Sequence, residues 1–410
     1  MRAASVAAGA LLLAAAGCGG PESTRAVIGA DAPAAVADRP VRLTVSGLAP
    51  EDEVTVTATA ADARGARWRG HATFRADGRG RIDLARARPL SGTYSGVDGM
   101  GLFWSMRPPA GKAEEAWFDP GFSGAEPSYD VTVTVTADGR RLAQRTLTRR
   151  LAAPGVTRRT FTPGEDGVSG ELFLPPDGRR HRPAVIVIGG SEGGDTGPYE
   201  GALLASNGHP ALVLAYFRAP GLPAALKDIP LEYFARAARL LVGDFGRVVV
   251  RGHSRGSEAA LLMGRHYPGL VRGVIACAPS ADVLPGFPRG GDAWTRGGRP
   301  VPGGTIPLDG ISGPVLAIAG TDDRVWRSAS SARQIMDGLA GTRDRFPHQA
   351  AVYPGAGHGI CNVPYLPQGT GIPHPVTGDA LAMGGSRPAD AAARAQAWSR
   401  ILTFLAALER

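Results

Sequence analysis

The segment from Val248 to Met263 constrains the fold of this chain more than any other. Val248-Val249-Val250 is an apolar run, Gly252-His253-Ser254-Arg255-Gly256 follows, and Ala259-Ala260-Leu261-Leu262-Met263 resumes the apolar character. That is the signature of a strand, a sharp turn and a helix. A serine at such a turn projects its hydroxyl out of the sheet, and the helix aims its first amides at whatever that oxygen attacks. With 58 glycines in 410 residues a Gly-x-Ser-x-Gly string also arises by chance, so the strand before it and the helix after it carry the weight of the reading.

The halves of the chain differ in period. Val41–Val45, Val54–Thr59 and Val131–Thr136 alternate β-branched and polar residues, separated by turns such as Ala76-Asp77-Gly78-Arg79-Gly80. This predicts an antiparallel β-sandwich of immunoglobulin-like size over residues 40–150. Residues 157–410 instead carry continuous apolar runs at 184–188, 211–215, 247–250, 271–276 and 315–319, with helical stretches near 197–207, 231–242, 328–339 and 389–408. Apolar strands alternating with helices predict a mostly parallel sheet covered on both faces, with the functional site beyond the carboxyl ends of its strands.

A serine hydroxyl attacks only when a base takes its proton, and the base needs an orienting acid. In sheets of this type the chain order is Ser, then Asp or Glu, then His. After the run ending at Ala319 come Asp322 and Asp323, and after Val352 comes His358, bracketed by Gly357 and Gly359. The order and loop positions make Ser254 the nucleophile, His358 the base and Asp323 the acid, with Asp322 holding the turn. The amide of Arg255 is one expected oxyanion donor; the second is expected from the Gly189–Gly194 loop, where Ser191 and Glu192 are the candidates. Glu258, in the first turn of the next helix, is read as compensating the helix dipole. His266 and His348 are read as surface residues.

The N-terminus reads as a processing signal. Arg2 precedes a short apolar core, Val6 to Ala16, which is too short to span a bilayer as a helix. Ala15-Ala16-Gly17-Cys18 then resembles a bacterial lipoprotein box, although Ala15 stands where leucine is usual. Residues 1–18 are expected to direct export, with Cys18 either the lipidated residue or incidental to a plain secretory signal. Residues 19–39 are then a tether, and membrane contact comes through the lipid alone. Cys277 and Cys361 remain, either paired or as separate buried thiols. The eight histidines show no metal-ligand spacing, and no glycine-rich loop ends in Lys-Ser/Thr, so neither a metal nor another cofactor is expected. The net charge of +8 comes from arginines spread along the chain, which suits solubility better than nucleic-acid binding.

Two regions resemble the acyl-CoA thioesterase and bile-acid-CoA:amino-acid N-acyltransferase family. Gly96-Val97-Asp98-Gly99-Met100-Gly101-Leu102-Phe103-Trp104-Ser105 is similar to that family's "GVxPMGLxWS" string, with Gly99 in place of proline. In the second half, Gly189 to Gly194, Gly252 to Glu258, Asp322-Asp323 followed by Trp326, and Gly357-His358 followed by Pro364-Tyr365 match in order. The resemblance implies an α/β hydrolase behind the sandwich, with Ser254, Asp323 and His358 in the three catalytic roles. It also implies hydrolysis of an acyl thioester, because serine rather than cysteine occupies the nucleophile position. Export points instead to an ester, amide or non-CoA thioester, so an exported carboxylesterase or acyltransferase is the alternative. A lipid-anchored binding protein with a silent hydrolase domain is the reading from another class. The Gly/Pro-rich stretch Val283 to Gly310, with Trp294, is expected either to wall the acyl pocket alongside Phe103 and Trp104 or to form a surface loop.

Overall fold

The computed structural model describes residues 26–124, 126–176, 182–194, 197–342 and 344–409. The expected signal and Cys18, with residues 19–25 of the expected tether, lie outside them. Residues 26–39 are not a tether: they supply β1 (Val27–Ala30) and β2 (Ala34–Val36), and Ile28 is buried.

The first half is a two-sheet β-module. β3 (Leu43–Ser46), β4 (Glu53–Ala61), β5 (Arg67–Arg75), β6 (Ile82–Asp83) and β7 (Ser91–Gly92) are followed by a four-residue helix, α1 (Gly101–Trp104). The long β8 (Ser128–Ala137) and β9 (Arg140–Arg150) complete it. One sheet has the order β2-β9-β8-β4-β5-β7 and the other β1-β3-β6. Alternation decides which side is dry: Val131, Val133 and Val135 of β8 are buried while the threonines between them are half-exposed. Leu43 and Val45 of the smaller sheet join them in one apolar cluster.

The second half contains an eight-stranded sheet. Its strands are β10 (Thr157–Phe161), β11 (Ser169–Leu174), β12 (Val185–Ile188), β13 (Ala211–Ala215), β14 (Val248–His253), β15 (Val271–Cys277), β16 (Val315–Gly320) and β17 (Gln349–Tyr353). They lie in the order β10-β11-β13-β12-β14-β15-β16-β17, antiparallel at the β10 and β11 pairings and parallel from β13 onward. The helices are α2 (Pro198–Ser206), α3 (Leu231–Phe245), α4 (Arg255–His266), α5 (Ser328–Ala340) and α6 (Arg387–Ala407). Burial on both faces explains the unbroken apolar runs: Val249 and Val250 are both fully buried, but in different clusters, one on each side of the sheet. This is the α/β-hydrolase architecture that the sequence leads one to expect.

The two halves are joined by backbone pairing. Trp117 bridges Gln368, Phe118 N–H donates to Pro367 O (3.0 Å), Gly369 N–H to Ala116 O (2.8 Å) and Thr370 N–H to Glu114 O (2.9 Å). The Val283–Gly310 stretch is ordered rather than a free loop. Trp294 is fully buried against Tyr216 and Phe234, in the core beneath the stretch rather than on a pocket wall.

Candidate active site

Ser254 sits between β14 and α4 with φ 54° and ψ −122°, a conformation that costs a side-chain-bearing residue on the order of 1–3 kcal/mol and persists only when its surroundings enforce it. The flanking glycines show how. A Cβ on Gly252 would lie 2.0 Å from Gly256 O, and one on Gly256 would lie 2.3 Å from Gly189 O. Only glycine lets the strand and helix approach so closely. Ser254 N–H donates to Cys277 O (2.9 Å), which pins the turn to the neighbouring strand.

Three loops beyond the strand ends bring their polar side chains together. His358 Nε2 is 2.8 Å from Ser254 Oγ, and His358 Nδ1 is 2.8 Å from Asp323 Oδ2. Ser254, His358 and the Asp323 carboxylate are all buried. Asp323 Oδ1 accepts the amides of Val325 (3.0 Å) and Trp326 (3.2 Å), which leaves Oδ2 directed at the imidazole. Trp326 stands edge-on to the His358 ring (5.0 Å) and donates its Nε1–H to Ala278 O (3.1 Å), covering the pair from one side. Asp322 is absent from this line. It is partly exposed and accepts the amide of Gly385 (3.1 Å), a turn-holding contact.

Arg255 is the first residue of α4, so its amide has no acceptor within the helix. The Gly189–Gly194 loop lies against the serine: a Cβ on Gly190 would stand 2.9 Å from Ser254 Cβ. Within that loop the Gly190 amide is already taken by Glu192 Oε1 (2.7 Å). Ser191 Oγ is 2.9 Å from His374 Nε2, and Glu192 O accepts from Arg218 Nη1 (2.9 Å). Tyr216, which no sequence pattern singles out, donates its hydroxyl to Gly190 O (2.6 Å) and holds the loop from below. Burial pushes the Tyr216 phenol well up, so it stays a neutral donor.

Glu258 does more than face a helix dipole. It is fully buried, and its Oε1 is 2.6 Å from Arg255 Nε. Its Oε2 accepts from Trp294 Nε1 (2.8 Å) and the Leu284 amide (3.2 Å). Arg255 in turn donates to Leu284 O (2.9 Å) and Pro285 O (2.8 Å). Burial raises the Glu258 carboxyl and Arg255 opposes it; these hydrogen bonds tie the Leu284–Trp294 segment to α4. The bland reading of His348 also fails: its Nδ1 accepts the Val315 amide (3.1 Å) and its Nε2 faces Asp344 (2.9 Å).

Cys277 and Cys361 form a disulfide with Cα atoms 6.0 Å apart. It joins the end of β15 to the loop just past His358. His253 Nε2 donates to His358 O (3.0 Å), and burial holds the His253 imidazole well below its usual range, hence neutral.

A cavity of about 670 Å³ opens over Ser254, lined by Trp117, Phe118, Tyr199, Phe287, Trp326 and Leu366 among others. The β-module's share of the wall is Trp117, Phe118 and Asp119; Phe103 and Trp104, expected there, are packed in the module's own core. From the inserted stretch Phe287 reaches the cavity and Trp294 does not. A pocket of this size suits a small organic molecule.

Strand order, serine turn and buried Ser–His–Asp line define an enzyme of the α/β-hydrolase class. Comparison with known proteins refines this. Residues 38–162 match the acyl-CoA thioester hydrolase/BAAT N-terminal region, and residues 298–408 match the BAAT/acyl-CoA thioester hydrolase C terminal. Human acyl-coenzyme A thioesterase 6 is 32% identical over 404 residues, covering 90% of this chain and 93% of the relative. Mouse acyl-coenzyme A thioesterase 5 is 32% identical over 401 residues with the same coverage. Among solved structures, a dienelactone hydrolase-like promiscuous phosphotriesterase from metagenomic libraries is 16% identical, with a TM-score of 0.40 over 62% of this chain and 99% of its own. The chain belongs to the acyl-CoA thioester hydrolase/BAAT family.

Proposed function

We propose that this protein hydrolyses acyl thioesters through an acyl-enzyme on Ser254. The observation that carries the reading is the unbroken hydrogen-bonded line from Ser254 Oγ through both imidazole nitrogens to Asp323. His358 Nε2 takes the serine proton as Oγ attacks the acyl carbonyl, and Asp323 holds the tautomer that leaves Nε2 free to accept. The oxyanion is received by the amide of Arg255 at the head of α4 and by donors of the Ser191–Glu192 loop. A fixed donor of this kind is worth about 10²–10³ in rate. The leaving thiol takes the proton back from His358, and water repeats the sequence to release the acid.

The disulfide favours a second reading of where this happens. Disulfides persist in oxidising compartments, and the Cys277–Cys361 pair agrees with the export signal read over residues 1–18 and the lipid anchor read at Cys18. An exported enzyme with this site would meet acyl esters and non-CoA thioesters, or pass the acyl group to an amine or alcohol acceptor. In that setting the immunoglobulin-like module serves as spacer and pocket wall. The intact Ser–His–Asp line argues against a silent binding protein.

Labelling with a fluorophosphonate probe tests the nucleophile. The wild type should label, and Ser254→Ala and His358→Ala should not. Labelling of Ser254→Ala, or none of the folded wild type, refutes the mechanism. Hydrolysis of acyl-CoA, acyl-pantetheine and p-nitrophenyl esters of matched chain length then ranks leaving groups. Turnover of the esters with none of either thioester would move the assignment to a carboxylesterase.

A further inference from the structure

The β-module supplies no atom of the Ser254–His358–Asp323 line, yet it is wired to the base. Arg387, the first residue of α6, is buried, and its guanidinium donates to Met106 O (2.6 Å), Trp104 O (3.1 Å) and Ser105 O (3.5 Å). These are carbonyls at the C-terminal end of α1, where a helix leaves its acceptors unsatisfied. One turn along α6, buried Asp390 accepts the Gly357 amide on Oδ1 (2.7 Å). A turn further, buried Arg394 donates Nε–H to Gly359 O (2.8 Å). Residues at i, i+3 and i+7 share one helix face, so a single rod touches the module at one end and grips both neighbours of His358 with the next two turns.

The chemistry of these contacts says what they are for. Asp390 and Arg394 lie 3.9 Å apart in an apolar interior. Buried ion pairs contribute little to stability compared with well-packed apolar residues, because desolvation offsets their attraction. Here the charges are spent on two backbone groups, the amide before His358 and the carbonyl after it. The His358 amide itself donates to Met383 O (2.8 Å). The imidazole's place relative to Ser254 is thereby set by a helix whose own start is fixed on the β-module.

We infer that Arg387, Asp390 and Arg394 are positioning residues through which the β-module sets the catalytic base. The inference rests on the assignment of His358 as that base. Displacements near 1 Å at a reacting group cost up to about 10²-fold in rate, which is the scale at issue.

The test uses the full chain, an acyl thioester substrate, and steady-state kinetics beside thermal unfolding. Asp390→Ala should lower kcat about 10- to 100-fold with KM within about twofold. Asp390→Asn keeps an acceptor oxygen for Gly357 and should recover most of that loss. Arg387→Met, which removes only the bonds to the module's carbonyls, should lower kcat about tenfold. The double variant Arg387→Met/Asp390→Ala should lose no more than Asp390→Ala alone, because both act on one path. Where Asp390→Ala yields no folded protein, Arg387→Met and Asp390→Asn decide. The inference is overturned if Arg387→Met keeps wild-type kcat, if Asp390→Asn is as impaired as Asp390→Ala, or if the losses multiply. Full activity of His358→Ala in the same assay would sink the base assignment instead.

Discussion

Replacing Cys277 and Cys361 together by alanine removes the one covalent link between the end of β15 and the loop that carries His358. The bridge spans 84 residues, a long loop that includes β16, β17 and the whole Asp322–Trp326 segment. Closing a loop of that length removes chain entropy from the unfolded state worth about 4.5 kcal/mol at 25 °C. For a body of this size about 1 kcal/mol moves the midpoint by 2–4 °C, so the unfolding temperature of the hydrolase half should fall by roughly 10–15 °C. Helical circular dichroism reads that half selectively, because every described helix longer than four residues belongs to it. Activity at 25 °C should survive, since the loop keeps its bonds to Asp390, Arg394 and Met383. An unchanged midpoint, or alkylation of both cysteines in the unfolded, unreduced protein, would refute the reasoning.

Other consequences follow from buried polar groups. Tyr216→Phe deletes the hydroxyl under Gly190 O and should lower kcat about tenfold while the protein stays folded; unchanged kcat would show that the loop does not need it. Glu258→Ala strands the Arg255 charge, the Trp294 indole N–H and the Leu284 amide in the interior, and urea unfolding should report a loss of about 3–5 kcal/mol. His209 is held down to about 4 by burial, with Arg182 adding to the effect. The unfolded chain, with an ordinary imidazole near 6.5, therefore binds more protons between these values, and stability falls as pH drops through that window, by about 3 kcal/mol at pH 4. His209→Gln should flatten the dependence between pH 7 and 4; an unchanged slope in urea titrations would remove His209 as its cause.

Much of this protein is legible without coordinates because it rests on neighbours in sequence. The serine turn requires Gly252 because a Cβ there would run into Gly256, its near neighbour in the chain. Two-sided burial writes itself as continuous apolar runs, and the predicted helix at 328–339 meets an observed Ser328–Ala340. The order serine, aspartate, histidine follows from strand order in the sheet. What the sequence could not decide involves partners far apart in the chain. Asp323 is the choice the sequence makes over Asp322, but what directs its carboxylate is tertiary: the Val325 and Trp326 amides hold Oδ1, and Oδ2 meets His358 from a loop 35 residues away in the chain. The β-module's aromatic residues that reach the cavity are Trp117 and Phe118, because that segment pairs with residues 367–370, whereas Phe103 and Trp104 fill the module's core. Glu258 carries the pattern of a first-turn acid, yet Arg255 and Trp294 convert it into a buried anchor. Whether Cys277 meets Cys361 depends on β15 lying beside β14 with the His358 loop above both. Local propensity and periodicity are written residue by residue. Which distant side chains meet is settled when burial closes the layers, and the direction of each polar group is then dictated by the partner it must find there.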